Sequence, residues 1–140
     1  GPRGEGVIAH GDRAAGTAGL VEALVGGGEL LATLAETRPA DARAFHPYGV
    51  SDADGFAAMG VVEVLVHGHD VLLGLTDAPT PFPPGLAARA LTRLFPDVET
   101  GPDEDPDAVL LWATGRGELP GRPRRTRWRW DATVRGGAPG

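Results

Sequence analysis

Apolar residues recur every three or four positions over most of the chain, and this spacing predicts a mainly helical fold. A first helix is predicted from residue 17 to about residue 37. The three glycines at 26–28 cost this helix about 1 kcal/mol each relative to alanine, so a break there is allowed. Two shorter helices are predicted over residues 84–95 and 106–114, between proline-rich connections.

The central helix, predicted over residues 55–75, is apolar on nearly every side, and a helix of this kind is typically buried among other elements. Four ionisable residues interrupt it, namely Glu63, His67, His69 and Asp70. Its apolar residues are Phe56, Met59, Val61, Val62, Val64, Leu65, Val66, Val71, Leu72 and Leu73.

Three of the four ionisable residues share one stripe of this helix. At about 100° per residue, His67 lies about 40° from Glu63, and Asp70 lies about 20° from it. His69 points about 120° away from Glu63, which favours a packed or surface histidine over a ligand.

A buried carboxylate without a partner costs several kcal/mol, and the central helix contains no lysine or arginine. The positive charge must then come from another element, from protonated His67 or from a metal ion. Glu and His at positions i and i+4 can reach one cation, and their oxygen and nitrogen atoms suit zinc. We therefore predict a buried metal site at Glu63 and His67; a hydrogen bond that only joins two helices is the alternative.

Near the C-terminus, residues 126–131 alternate strictly between polar and apolar, which predicts a strand with Trp128 and Trp130 on one face. The short apolar stretch at residues 6–10 is its predicted partner in a two-stranded ribbon that packs on the helices. Residues 39–49 are predicted to form a loop.

At 140 residues the chain fits one domain, predicted to span 1–140 with irregular termini at 1–16 and 136–140. Its longest apolar-rich runs, such as residues 60–66, are far shorter than the ~20 residues that span a bilayer, so no membrane association is predicted. No signal-like leader opens the sequence, and it contains no cysteine. We therefore expect a cytoplasmic protein without disulfides or thiolate metal sites.

The net charge of −6 argues against a nucleic-acid partner. All 13 basic residues are arginine, a bias that GC-rich codons produce and that weakens any functional reading of the arginines. Most of them lie between residues 116 and 135, whereas residues 97–107 are acidic. The arginines around Trp128 and Trp130 have the composition of an anion-binding surface, but core tryptophans beside solvated arginines are the simpler interpretation.

Around the central helix the sequence resembles the mycothiol-dependent maleylpyruvate isomerase family, a branch of the DinB-like metal-binding helical bundles. The Glu-x-x-x-His-x-x-Asp pattern of Glu63, His67 and Asp70 is the specific part of a resemblance that covers most of residues 20–131. Supporting similarity lies at residues 43–52, 55–59, 111–116 and 128–130. The expected fold is thus a mainly α, DinB-like bundle of about four helices with a small two-stranded terminal β-ribbon.

The resemblance implies that Glu63 and His67 are ligands of a divalent metal, with zinc as the expected ion. Members of this family use the metal to activate a thiol, usually mycothiol, or a water. This implies an enzyme that catalyses isomerisation or transfer on a small electrophilic substrate, with Asp70 orienting an imidazole or accepting a proton. The alternative is a non-catalytic bundle that binds a small ligand or a protein.

The third metal ligand is open. Members of the family have a further N-terminal helix that ends in another His ligand, and this chain is expected to start after it, as a fragment or as a member that has lost a ligand. His10, His46 and a residue outside the chain are the candidates. His46 precedes the central helix, so a loop would have to fold back over about 12 Å to bring it to Glu63. A homodimer that supplies the missing helix is also left open.

Overall fold

The computed structural model describes residues 12–76 and 80–134. Within these ranges it contains four α-helices and a two-stranded antiparallel sheet, which confirms a mainly α fold with a small β element. After a short 3-10 turn at Arg13–Ala15, the elements are α1 (Gly16–Thr37), β1 (Ala44–His46), β2 (Gly49–Ser51), α2 (Ala53–Leu75), α3 (Leu86–Leu94) and α4 (Pro106–Ala113).

The four predicted helices are all present, and α1 continues through the glycines at 26–28 without a break. It ends where Arg38 turns to an extended conformation before Pro39, because a residue that precedes proline is disfavoured in the helical region. Asp105 caps α4 by accepting a hydrogen bond from the Asp107 N–H.

The two-stranded sheet lies at a different place from the predicted ribbon. Strands β1 and β2 form a hairpin within and just after the stretch predicted to be a loop, and their register pairs Phe45 with Val50. Gly49, which follows the turn, has φ 133°, a conformation that favours glycine.

The predicted strand at residues 126–131 is wrong, because this segment is irregular; its predicted partner at residues 6–10 lies outside the described residues. Instead of joining a ladder, the tail bonds to the end of α3, where the Asp131 N–H donates to the Leu94 carbonyl at 2.8 Å. The two faces nonetheless alternate as predicted: Trp130 is buried and Trp128 packs against the core, while the intervening Arg129 is exposed.

The hydrophobic core is built from one face of α2, from α3 and α4, and from the tail around Trp130. Helices α2 and α3 pack together, as do α3 and α4, and α1 lies against α2. The core contribution of α2 is Met59, Val62, Leu65 and Val66. In the described part of the chain, by contrast, no residue of α1 is buried.

Two helices, Gly16–Thr37 and Ala53–Leu75, are long and apolar enough to cross a membrane by length and composition, with mean hydropathies of 1.4 and 1.5. The length of apolar runs does not reveal either helix, because each carries a few charged residues among its apolar ones. One or two such helices are weak evidence for a membrane, since a core helix of a soluble protein and a signal sequence near the N-terminus meet the same criterion.

Candidate functional site

Helix α2 brings Glu63, His67 and Asp70 together on one side, as their spacing predicts. Glu63 Oε2 lies 3.0 Å from His67 Nε2. The other imidazole nitrogen, Nδ1, lies 3.4 Å from Asp70 Oδ2, which is longer than a typical hydrogen bond. The imidazole therefore sits between two carboxylates, with a different nitrogen turned towards each.

The predicted burial of the pair is wrong for this structure. The side chains of Glu63 and His67 are 50% and 62% exposed. Helix α2 buries the face that carries Val62 and Val66, and the pair points away from that face. Water therefore solvates both groups, and the desolvation cost that called for a cation does not arise among the described residues.

Arg116 completes the cluster from the turn that follows α4. Its guanidinium holds the Asp70 carboxylate with two nitrogens, since Nε donates at 2.9 and 3.0 Å and Nη2 donates at 2.8 Å. A two-pronged contact of this kind fixes the orientation of both groups. Arg116 is held just past the end of α4, where its N–H donates to the Leu111 carbonyl at 2.7 Å and its Nη1 donates to Thr114.

The sequence analysis missed this role of Arg116, because the arginine lies 46 residues from Asp70. The available signal was the turn after α4, where Gly115 has φ 75° and a Cβ would come within 2.9 Å of the Arg125 carbonyl. This turn fixes the direction in which the next residue leaves the helix.

The hydrogen bonds from Arg116 lower the pKa of Asp70. Burial opposes this effect, but the charge of Arg116 and the contact with His67 add to the lowering. An ionised carboxylate with a low pKa is a poor proton acceptor near neutral pH. Of the two roles expected for Asp70, orienting the imidazole is therefore the one that its surroundings favour.

The separation of the two predicted ligand atoms lies in the ordinary range of hydrogen-bond distances and is also close to that of a metal chelate. Tetrahedral zinc, with bonds of about 2.0–2.2 Å to nitrogen and oxygen, holds two such ligands about 3.3 Å apart. The 3.0 Å between Glu63 Oε2 and His67 Nε2 differs from this value by a few tenths of an ångström. Small side-chain rotations cover that difference.

The other histidines lie in aromatic surroundings. His46 packs against Tyr48, Phe56 and Trp130, with ring centroids 5.4, 6.3 and 5.7 Å away, and its Nδ1 accepts the Tyr48 N–H. His69 is half-buried with its ring 6.2 Å from that of Phe82, which agrees with a packed histidine.

The third-ligand question therefore stays open. Residues 12–76 and 80–134 contain no group of three His, Asp or Glu side chains that could hold a metal ion. His10 lies outside these ranges. The described residues supply the Glu63–His67 pair and its Asp70–Arg116 support, but not a further ligand.

The basic tail has a structural role in the described chain. Arg122 donates to Glu104, and Arg125 pairs with Asp97 at 2.8 Å, so the basic segment is tied to the acidic one. Both guanidiniums also lie over the Trp112 ring, at 5.1 and 5.3 Å from its centroid.

Comparison of the chain with family models, with curated proteins and with solved structures finds no match. The functional argument therefore depends on the geometry of the site and on the resemblance that the sequence shows around the central helix.

Proposed function

We propose that this protein binds a divalent metal ion, with zinc as the expected ion, through Glu63 and His67. We further propose that it acts as a metal-dependent enzyme of the mycothiol-dependent maleylpyruvate isomerase type on a small electrophilic substrate. The observation that carries the proposal is the connected series Glu63–His67–Asp70–Arg116, in which each side chain orients the next.

The support around the imidazole has the form that metal-binding histidines require. A ligating histidine commonly donates its second N–H to a carboxylate, which fixes the ring and its tautomer. Asp70 stands beside Nδ1 of His67, and Arg116 holds that carboxylate in place. Nε2 of His67 lies 3.0 Å from Glu63 Oε2, a contact that is favourable only while Nε2 carries a proton, because a carboxylate oxygen can only accept. A metal ion bound to both atoms would take the place of that proton, with the remaining imidazole proton on Nδ1 beside Asp70.

A divalent ion at this position supplies Lewis acidity, which lowers the pKa of a thiol such as that of mycothiol, or of a water, so that the anion is available near neutral pH. The chain contributes the negative charge of Glu63 and the neutral nitrogen of His67. Asp70 stays ionised beside Arg116 and keeps the imidazole oriented, which makes it a positioning residue in this scheme.

The test is metal content and zinc affinity of the purified protein, measured by elemental analysis and by titration. Glu63→Ala and His67→Ala each remove a ligand, so we expect bound zinc to be lost. His69→Ala on the same helix is the matched control and should keep it. Arg116→Ala leaves both ligands in place but frees Asp70, and we expect zinc affinity to fall by about 10- to 100-fold.

Two results would contradict the proposal. One is a wild-type protein that binds no zinc in the titration, and the other is zinc binding that is unchanged in His67→Ala. If zinc binds as expected, turnover of small electrophiles with and without mycothiol distinguishes thiol activation from water activation.

A non-catalytic binding module is the second candidate, and a separate observation favours it. Helix α1 exposes large apolar side chains, among them Leu20 at 59% and Leu24 at 64%, as a surface for binding would. A stably folded, metal-free protein would support this candidate over the enzyme.

A further inference from the structure

A cleft of about 800 Å³ lies between the turn of the β1/β2 hairpin, the segment that follows α3 and the C-terminal tail. Its volume is that of a small-molecule site, for which about 300–1,000 Å³ is typical. The lining comes from residues within 47–49, 96–97 and 125–133, and none of the described lining residues belongs to the candidate metal site. The cleft is therefore a separate concave site on the molecule.

Three aromatic rings form the apolar part of the cleft. Trp130 is 7% exposed and lies between the other two, with its ring centroid 6.1 Å from that of Tyr48 and 5.9 Å from that of Trp128. The two flanking rings are inclined to Trp130 at 70° and 56°, and both are more exposed than it is. A buried ring with an inclined ring on each side suits a planar guest, which can stack on one ring and pack edge-to-face against another.

Two arginines of the cleft are uncommitted in the described chain. Arg125 is not one of them, because it pairs with Asp97 at 2.8 Å. The guanidinium groups of Arg127 and Arg129 line the cleft and make no hydrogen bond or ion pair with any described residue. Their Cα atoms are at most about 7 Å apart, so both side chains are long enough to reach one anionic group.

The described lining has an excess of positive charge. Its remaining carboxylate, Asp131, accepts hydrogen bonds from the Thr133 N–H at 2.9 Å and from the Thr133 hydroxyl at 2.6 Å. Three arginines therefore face two aspartates in a chain whose net charge is −6. This local excess favours an anion in the cleft, whereas the charge of the whole chain repels anions elsewhere.

The indole of Trp130 adds an unsatisfied donor. Its Nε1 is buried and has no hydrogen-bond partner among the described residues. Buried donors are nearly always paired, so an acceptor from outside these residues is expected. An oxygen of a ligand bound in the cleft is an acceptor of this kind.

We propose that this cleft binds a small molecule in which a planar ring system carries a phosphate or a carboxylate. The ring packs between Tyr48 and Trp128, against Trp130, and the anionic group is held by Arg127 and Arg129. Guanidinium groups bind the oxygens of either anion through paired N–H donors, which fixes the orientation of the ligand. This proposal goes beyond the metal function and does not rest on it.

The experiment is isothermal titration calorimetry of the full chain, in the presence of a chelator, with four probes. Naphthyl phosphate and naphthoate combine the ring with each anion, naphthol has the ring without a charge at neutral pH, and inorganic phosphate has the charge without a ring. We expect one or both naphthyl anions to bind with a dissociation constant below about 1 mM, and the other two probes to bind at least about 10-fold more weakly. The tighter of the two anions identifies the group that the ligand carries.

Substitutions locate the binding within the cleft. Arg127→Ala and Arg129→Ala should each weaken the naphthyl anions by about 10-fold. Tyr48→Ala should weaken them by about 5-fold through loss of the ring contact. Arg124→Ala removes an exposed arginine of the same tail that does not line the cleft, so it is the matched control and should leave binding unchanged. All four side chains are exposed, and circular dichroism confirms that each variant is folded.

Four results would overturn the proposal. A wild-type protein that binds neither naphthyl anion removes the site. Naphthol bound as tightly as naphthyl phosphate removes the role of the arginines, and inorganic phosphate bound as tightly removes the role of the rings. An equal loss in Arg124→Ala would show an effect of overall charge.

The metal proposal and this one fail separately. His67→Ala should lose zinc but bind the naphthyl anions as the wild type does. Loss of naphthyl binding in His67→Ala would place the anion at the metal site and overturn a separate cleft. Naphthyl binding by a protein that takes up no zinc keeps the cleft and removes the metal function.

Discussion

Asp70 and Asp52 are both held by an arginine, in settings that have different consequences. Asp70 lies on the outer side of α2, where Arg116 keeps it ionised beside the histidine. Asp52 caps the start of α2, where its carboxylate accepts the Gly55 N–H at 2.8 Å and a hydrogen bond from Arg93 at 2.9 Å. In the first case the ion pair supports a candidate site, and in the second it supports the fold.

The cap at Asp52 predicts a pH-dependent loss of stability. Burial raises the pKa of Asp52, but hydrogen bonds from Arg93 and the Gly55 N–H, with the charge of Arg93, more than offset it and leave the pKa lowered. A lowered pKa in the folded state contributes stability above the unfolded pKa of about 3.9, and this is lost as the pH falls through the folded value. Asp52→Asn keeps a capping side chain but removes the charge, so we expect it to cost roughly 1 kcal/mol at pH 6.

Urea unfolding of wild-type and variant protein between pH 6 and pH 3 checks this. The difference in the free energy of unfolding should shrink towards the acid end. Asp54→Asn is the control, because Asp54 meets the same arginine from a position that is 78% exposed and should matter little. An Asp52→Asn effect that does not change with pH would show that the charge contributes nothing.

At the level of elements, helical spacing predicted all four helices. It did not predict which side of α2 is buried. The helix is apolar nearly all round, so periodicity offers several faces, and the one that packs is set by α3 and by the position of Gly55 under Ser51 and Arg93. The stripe of Glu63, His67 and Asp70 was correct, but its burial was not.

The tail and the hairpin show the same limit for strands. Alternation correctly assigned the faces of Trp128 and Trp130, but a strand also needs a backbone partner, and the tail finds the end of α3 instead. Strands β1 and β2 have only three residues each. An alternation of polar and apolar residues cannot be recognised over so short a stretch.

The glycines of α1 and α2 give a prediction at this scale. A Cβ on Gly26 would meet nothing within 4 Å, so Gly26→Ala should gain helix propensity and stabilise the protein by about 1 kcal/mol. A Cβ on Gly60 would collide with the end of the Leu31 side chain, so Gly60→Ala should gain less than Gly26→Ala because that side chain must move aside.

Thermal unfolding of the two variants beside the wild type provides the measurement. Equal stabilisation by both substitutions would mean that α1 does not pack on α2 at Gly60.

At the scale of the whole molecule, α1 is expected to add little to the stability of the described fold, because none of its residues is buried. Leu24 is 64% exposed, so we expect Leu24→Glu to change the free energy of unfolding by less than about 1 kcal/mol. Urea unfolding beside the wild type checks it, and a loss of several kcal/mol would show that this side chain is covered in the folded protein.

Composition and helical periodicity were enough to predict the fold class, since both depend on local preferences. The part of the site that lies on α2, namely Glu63, His67 and Asp70, could be predicted from the sequence. Arg116 lies in the turn after α4, and its contact with Asp70 results from packing between elements, which the spacing of residues along the chain does not predict. What covers the exposed apolar side chains of α1 could not be predicted either. A pattern of apolar residues indicates that a surface packs, but not against what it packs.

No residue of α1 is buried in the described chain. Selection for core packing and selection for other contacts, which usually act on the same residues, are therefore separated in this helix. Residues such as Val62 and Leu94 are constrained by the need to fill an interior. Among the described residues, Leu20 and Leu24 are under no such constraint, so any selection that retains them acts through atoms outside the described core. Substitution rates in α1 among homologues would therefore record that contact separately from the selection for packing of the core.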